Sequence, residues 1–313
     1  MKNPGGKPTI AALAAVAALY VTVAWSAQQS ASTETVPVTI TVSVEAKHGK
    51  DVPAIYREDV RVIHDRSRLK VTDWVPLQGA QAGLELFLLI DDSTDSTLGL
   101  QFDDLKKFIA TQPATTAIAV GYIRNGTVSV AQNFTKDRSL ADKALRLPQG
   151  FAAGDAGPYL AIHDLIDRWP ASANRHEIFL VSSGIDALQP GPSDSYLEQA
   201  IERAKRADVQ VYCIYASRAG HMGHTMWQSS QGQNNLSRLA DETGAEAYFQ
   251  ALEMPISFAP YLNEFADRLK HQYRLTFEAP SGKKAGFQKI RLETEVPNAE
   301  LVAMNGVYIP AGR

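Results

Sequence analysis

Leu84-Glu85-Leu86-Phe87-Leu88-Leu89-Ile90 runs directly into Asp91-Asp92-Ser93-Thr94-Asp95-Ser96. Five large apolar residues bounded by polar loop formers are too few for a helix and suit a central parallel strand covered on both faces. Ligands of such sheets gather at the carboxyl ends of the strands, so three carboxylates and three hydroxyls stand where an α/β sheet usually does its work.

Outward from that stretch, residues 84–271 alternate strand and helix. Phe102 to Ala110 is amphipathic and ends at Gln112-Pro113, and Ala117 to Ile123 is the next strand. Asn125-Gly126 is a hairpin signal that returns Val128 to Phe134 antiparallel at a sheet edge. Helices are expected at Ser139 to Leu147, Leu160 to Trp169, Ser195 to Arg206, from Asn234 to a left-handed cap at Gly244, and at Phe258 to Gln272. Strands are expected at Ile178 to Val181, Val209 to Tyr215 and Glu246 to Phe249. This order implies a doubly wound, mainly parallel sheet with helices on both faces.

The flanks read differently. Val36 to Val44 alternates with period two, followed by short strands at Asp59 to Ile63 and Leu69 to Val75. Three strands leave a face uncovered. Tyr273 to Phe277, Gln288 to Val296, Leu301 to Ala303 and Val307 to Ile309 supply the missing half, so residues 36–80 and 272–310 are expected to form one small β-sandwich-like module into which the α/β domain is inserted.

Composition, with 45% hydrophobic and 21% charged residues, is globular. The net charge of -3 and the lack of a basic run with interleaved aromatics disfavour nucleic acid as a partner. Residues 1–27 have the parts of an export signal: Lys2 and Lys7, an apolar run from Ile10 to Val23, then Ala24-Trp25-Ser26. Cleavage there predicts a periplasmic, secreted or envelope-associated chain; an uncleaved segment would anchor it in a membrane. Cys213, the single cysteine, leaves no internal disulfide and reads as a buried strand residue.

Leu86 to Ser93, the hairpin near Asn125, Glu177 to Gly184, Leu236 to Gly244 and Gln272-Tyr273-Arg274-Leu275, in this order and spacing, resemble a von Willebrand factor A domain, in particular exported bacterial relatives with small β regions before and after it. The resemblance covers most of residues 36–310. It implies a protein-interaction module and a divalent cation, Mg²⁺ or similar, over the sheet, held by an Asp-x-Ser-x-Ser loop, a Thr from a second loop and an Asp from a third. Asp91 and Ser93 match the first positions, and Asp95, with Ser96 next to it, stands where the second Ser is expected. The second loop, Gly154-Asp155-Ala156-Gly157-Pro158-Tyr159, has no Thr, and Ser183 stands where the third loop's Asp is expected. The resemblance therefore implies weak metal binding through Asp91, Ser93 and Asp95, with Asp155 and Asp186 as outer oxygen donors. The same loop also reads as a plain helix cap, its hydroxyls and Asp95 holding backbone amides.

His221 and His224 on a Gly/Ser-rich loop have the spacing of a weak metal pair or of a surface loop, with Trp227 as a partner contact. His163 and Asp164 suit a cap or salt bridge. No nucleophile elbow and no phosphate loop is present. Two functions follow: an exported, non-enzymatic adhesion or interaction module with a protein partner, or an Asp-dependent, metal-assisted hydrolase or phosphotransfer enzyme using Asp91-Asp92. For the second, the acid expected two residues after the nucleophile is replaced by Ser93.

Overall fold

The computed structural model describes residues 35–150, 156–189, 195–220, 225–251, 253–281 and 284–311. The segment read as an export signal, Asp155 and the His221–His224 stretch lie outside the described residues. In chain order the elements are β1 (Thr35–Ala46), β2 (Arg61–His64), β3 (Ser67–Pro76), β4 (Leu84–Asp91), α1 (Phe102–Thr111), β5 (Thr116–Arg124), β6 (Thr127–Thr135), α2 (Arg138–Lys143) and α3 (Pro158–Asp167). Then come β7 (Arg175–Ser182), α4 (Ser195–Ala207), β8 (Val209–Tyr215), α5 (Met226–Thr243), β9 (Ala247–Tyr248), α6 (Ala259–Lys270), β10 (Gln272–Pro280), β11 (Gly286–Glu293), β12 (Ala299–Val302) and β13 (Gly306–Ile309).

The α/β part is one six-stranded sheet in the order β6-β5-β4-β7-β8-β9, parallel except for β6. Every residue of β4 is buried, as the unbroken apolar run requires of a strand covered on both sides. From β4 the chain moves outward through α1 to β5, whereas from β7 it moves the opposite way through α4 to β8. Right-handed crossovers in opposite directions place α1 and α4 on opposite faces, and strand order reverses at the β4–β7 boundary. The hairpin after β5 has Asn125 and Gly126 at φ 50° and 70°, the two left-handed positions that an Asn-Gly turn supplies.

Strands from both flanks interleave in a single seven-stranded antiparallel sheet, β12-β1-β10-β3-β2-β11-β13. It curls around its own core, so one curved sheet stands where two packed layers were expected. The period-two pattern of β1 explains which side is inside: Val38, Ile40, Val42 and Val44 join Leu275, Phe277, Ile290, Val307 and Ile309. Each such side chain stabilises by about 1.5–3 kcal/mol on burial.

The opposite face of β1 meets the α/β body. Thr41 gives its N–H and hydroxyl to Asp208, at 2.9 and 2.8 Å, just before β8. At the amino end of β7, Arg175 donates to the Leu269 carbonyl and the Gln272 side chain at 3.0 and 2.6 Å, and Gln272 donates onward to Gln210 at 2.7 Å. Glu177 is fully buried in this junction, and burial, partly opposed by the charge of Arg175, pushes its carboxyl up to about 7. Burial likewise pushes Asp208 up to about 6, against the hydrogen bonds from Thr41. No helix among the described residues is long and apolar enough to cross a membrane.

Candidate functional site

The strand order reverses at the carboxyl ends of β4 and β7, the position where sheets of this kind bind ligands, and the sequence puts Asp91 and Ser182 there. Asp91 is completely buried. Its Oδ1 accepts the Ser93 amide at 3.0 Å and the Ser93 hydroxyl at 2.7 Å, while Oδ2 accepts the Ser182 hydroxyl at 2.8 Å. Thr94 folds back, its hydroxyl donating to the Asp91 carbonyl at 2.7 Å. Burial raises the Asp91 pKa; the Ser93 and Ser182 hydrogen bonds and the charge of Arg218 work against that rise. Asp95 caps the 3-10 turn that follows, accepting from the Thr97 amide at 2.8 Å, and its own N–H reaches the Ser217 carbonyl at 2.9 Å.

Asp92 has a different fate. It is buried and held bidentately by Arg146, at 2.6 and 2.8 Å, and it also accepts the Gln149 amide at 3.0 Å. Arg146 in turn lies 3.7 Å over the Tyr122 ring, and its own N–H donates to the Tyr122 hydroxyl at 2.7 Å. The hydrogen bonds from Arg146 leave Asp92 an ion-paired carboxylate. This is why α2 stops at Lys143 rather than running to Leu147: residues 144–147 turn inward to deliver Arg146. Charge repulsion among Asp91, Asp92 and Asp95 is relieved by arginines from distant parts of the chain, which the local sequence does not signal.

On the third loop, Gly184 at φ 69° turns the chain, with its N–H on the Ser182 hydroxyl at 3.1 Å and its carbonyl accepting the Tyr159 hydroxyl at 2.7 Å. Asp186 Oδ1 accepts the amides of Leu188 and Gln189 at 2.8 and 3.3 Å, so it shapes its own loop. Helix α5 begins at Met226, eight residues before the expected start at Asn234, so Trp227 lies in its first turn and is exposed. Gly232 on that helix presses on the loop: a Cβ there would sit 2.1 Å from the Ser183 carbonyl oxygen. His163 and Asp164 have the roles expected of them, His163 facing Asp167 at 3.4 Å and Asp164 accepting the Thr127 hydroxyl at 2.7 Å.

Asp91, Ser93 and Asp95 therefore share one loop, in which the Ser93 hydroxyl lies 2.7 Å from the Asp91 carboxylate and Asp95 is turned to the Thr97 amide. The carboxylate of Asp91 faces hydroxyls and an amide, that of Asp95 caps a turn, and a hydroxyl occupies position 183. A hard divalent ion asks for about six oxygens in near-octahedral order, so the donors in place do not by themselves fit one. Among the described residues no three His, Cys, Asp or Glu side chains group as a metal site. Nucleophilic chemistry through Asp91-Asp92 is also poorly provided for, since Asp92 is committed to Arg146 and the position two residues after Asp91 is a serine.

No family model matches the chain, and no curated protein matches it. Solved structures do. A von Willebrand factor type A protein from Catenulispora acidiphila is 12% identical, covering 91% of this chain and 76% of its own, at a TM-score of 0.40. The ArnB paralog VWA2 from Sulfolobus acidocaldarius is 9% identical, covering 88% and 76%, at 0.39. An aerotolerance-related membrane protein from Bacteroides fragilis is 10% identical, covering 60% and 98%, at 0.40. These values carry no residue-level correspondence, and the site stands on its own geometry. Solved structures similar to this chain thus include von Willebrand factor A domains, the domain type that its sequence resembles.

Proposed function

We propose that the chain is an exported, non-enzymatic interaction module that holds a protein partner on the loops at the carboxyl end of its parallel sheet. The observation that carries this reading is where large apolar side chains meet solvent. Ile256 is 87% exposed, Leu100 79% and Met226 76%, and Trp227, Leu147 and Leu188 are also exposed. Leu100 follows β4, Met226 and Trp227 open α5 after β8, and the Ile256 carbonyl accepts from Gln101 beside them at 3.0 Å. Leu147 lies against Gly99, and Leu188 against the Gly126 hairpin. Apolar side chains gathered at one end of a sheet and rimmed by polar loops mark contact surfaces for other macromolecules.

Any divalent ion is proposed to bind weakly, through Asp91 and Ser93 with Asp95, because these donors fill only part of a shell. Calorimetry with Mg²⁺ and Mn²⁺ tests this: Ser183→Asp strengthens binding and Asp91→Ala abolishes it. Tight binding that survives Asp91→Ala puts the ion elsewhere.

The docking reading is tested by photo-crosslinking side chains placed at Leu100, Trp227 and Ile256, with Val130 and Leu140 as controls, in cell-envelope preparations. The first set is expected to trap one defined protein and the controls none. In a hydrolase and phosphatase screen, with and without Mg²⁺, turnover stays at background. Turnover that Asp91→Ala removes would replace this reading with the enzymatic one.

A further inference from the structure

Two guanidinium groups serve the acidic loop, and they are not used alike. Arg146 is spent on Asp92 through two hydrogen bonds. Arg218 is 7% exposed and sits across from the loop: Thr94 and Arg218 pair as an antiparallel bridge, and the flanking Ala219 amide donates to the Ser93 carbonyl at 2.9 Å. Residues directly opposite in such a pair carry their side chains on the same side, so Arg218 extends alongside Thr94, whose hydroxyl folds onto Asp91. Its positive charge reaches the Asp91 carboxyl. Yet Asp91 gives it no hydrogen bond, because the donors it accepts are Ser93 and Ser182. The Arg218 Nη1 is buried with no hydrogen-bond partner among the described residues.

A guanidinium is a fork of five donors that stays charged at any working pH, and a buried donor without an acceptor carries an uncompensated desolvation cost. Such a group in a folded chain is satisfied by an ordered water or by an acceptor that a ligand brings. The ligand class that suits a planar fork of this kind is a carboxylate or phosphate, bound through charge-assisted hydrogen bonds. A metal cation would meet the same positive charge as repulsion.

We propose that the loops at the carboxyl end of β4 bind an oxyanion, carboxylate or phosphate, directly on Arg218, without a bridging metal ion. This deepens the interaction reading and rests on it for the anion's being carried by a partner protein. Binding of a small anion needs no partner, so failure of the one is distinguishable from failure of the other.

The test is a titration of the arginine side-chain Nε–H signals of the full-length mature chain by ¹⁵N NMR. Sodium acetate and sodium phosphate are the probes, at constant ionic strength set with chloride, and EDTA is present throughout. A saturable shift of the Arg218 signal with acetate or with phosphate is expected, and which of the two saturates at lower concentration identifies the anion. Arg218→Gln removes the binding, read through neighbouring amides, and Arg218→Lys, which keeps the charge and loses the fork, weakens it at least tenfold. An Arg218 signal that responds to acetate and phosphate no more than to chloride overturns the proposal. So does a response that appears only when Mg²⁺ replaces EDTA. Should Arg218→Gln fail to fold, the titration of the unaltered chain and of Arg218→Lys still decides.

Discussion

The two ends of the parallel sheet each bury charge, and they handle it in opposite ways. At the amino end, Glu177, Arg175, Gln210 and Gln272 are buried, and with the partly buried Asp208 they are tied by hydrogen bonds to β1, β10 and the end of α6. At the carboxyl end, Asp91 and Asp92 are just as buried, but what covers them is their own loops, and those loops present Leu100, Met226, Trp227 and Ile256 to solvent. A buried polar cluster sealed by the chain itself serves architecture. One sealed only by loops with apolar tips is placed to be completed by something else.

The largest break in this comparison is to uncover the amino end. Removing residues 272–313 deletes β10 to β13, strips β1 of both neighbours and leaves Val38, Ile40 and Val42 without their core. The expected outcome is aggregation in size-exclusion chromatography; a soluble, folded monomer would mean that the two flanks do not depend on one another. Next in size, Arg146→Met leaves Asp92 buried with the Gln149 amide as its remaining side-chain partner. It should cost about 2–4 kcal/mol in urea unfolding. A loss under about 1 kcal/mol would mean that the carboxyl-end loops are held some other way.

Glu177 sharpens the contrast through pH. Its folded pKa, about 7, lies above the ordinary value of 4.5, so between those pH values the folded chain keeps a proton that the unfolded chain releases. Stability from this group is therefore full below pH 4.5 and falls as pH rises through about 7. Glu177→Gln should flatten that decline and raise stability at pH 8 by about 2 kcal/mol, measured as the change in urea midpoint. A variant whose stability still falls as steeply across that range places the titration on another group, such as Asp208. The smallest effect belongs to the exposed rim: Trp227→Ser should change stability by less than about 0.5 kcal/mol, and a larger loss would make Trp227 part of the core instead of the contact face.

Much of the α/β body could be read directly. An unbroken apolar run names β4, Asn125-Gly126 names its hairpin, and Gly244, at φ 76°, closes α5 as a left-handed cap. Features that depend on distant contacts could not. Gln228-Ser229-Ser230-Gln231-Gly232 has the composition of a loop, yet it is helical because Gly232 allows α5 to approach Ser183 and because Gln233 donates to the Ala251 carbonyl at 2.7 Å. Period two in the flanks identified strands but not their neighbours, so one interleaved, curled sheet was expected as two layers. At the site, Asp91, Ser93 and Asp95 were visible as a constellation, whereas Arg146 lies 54 positions from the Asp92 it neutralises. Nothing near Arg218 in the sequence points to Thr94.

The pairing of β1 with β10 also sets an order in time. Thr39 meets Thr276 some 237 positions later, and the register runs without a break from Thr35–Pro280 to Ser43–Gln272. A first strand with partners so far along the chain must wait for nearly all of it, since contacts across long separations form late and slowly. In the interval the α/β segment can condense on its own local strand-helix contacts, while Val36 to Val44 remains an unpaired, alternating apolar edge. Assembly of this protein is therefore gated at its last step, and the hazard of that wait is self-association through β1, with Pro37 interrupting its run of amide donors.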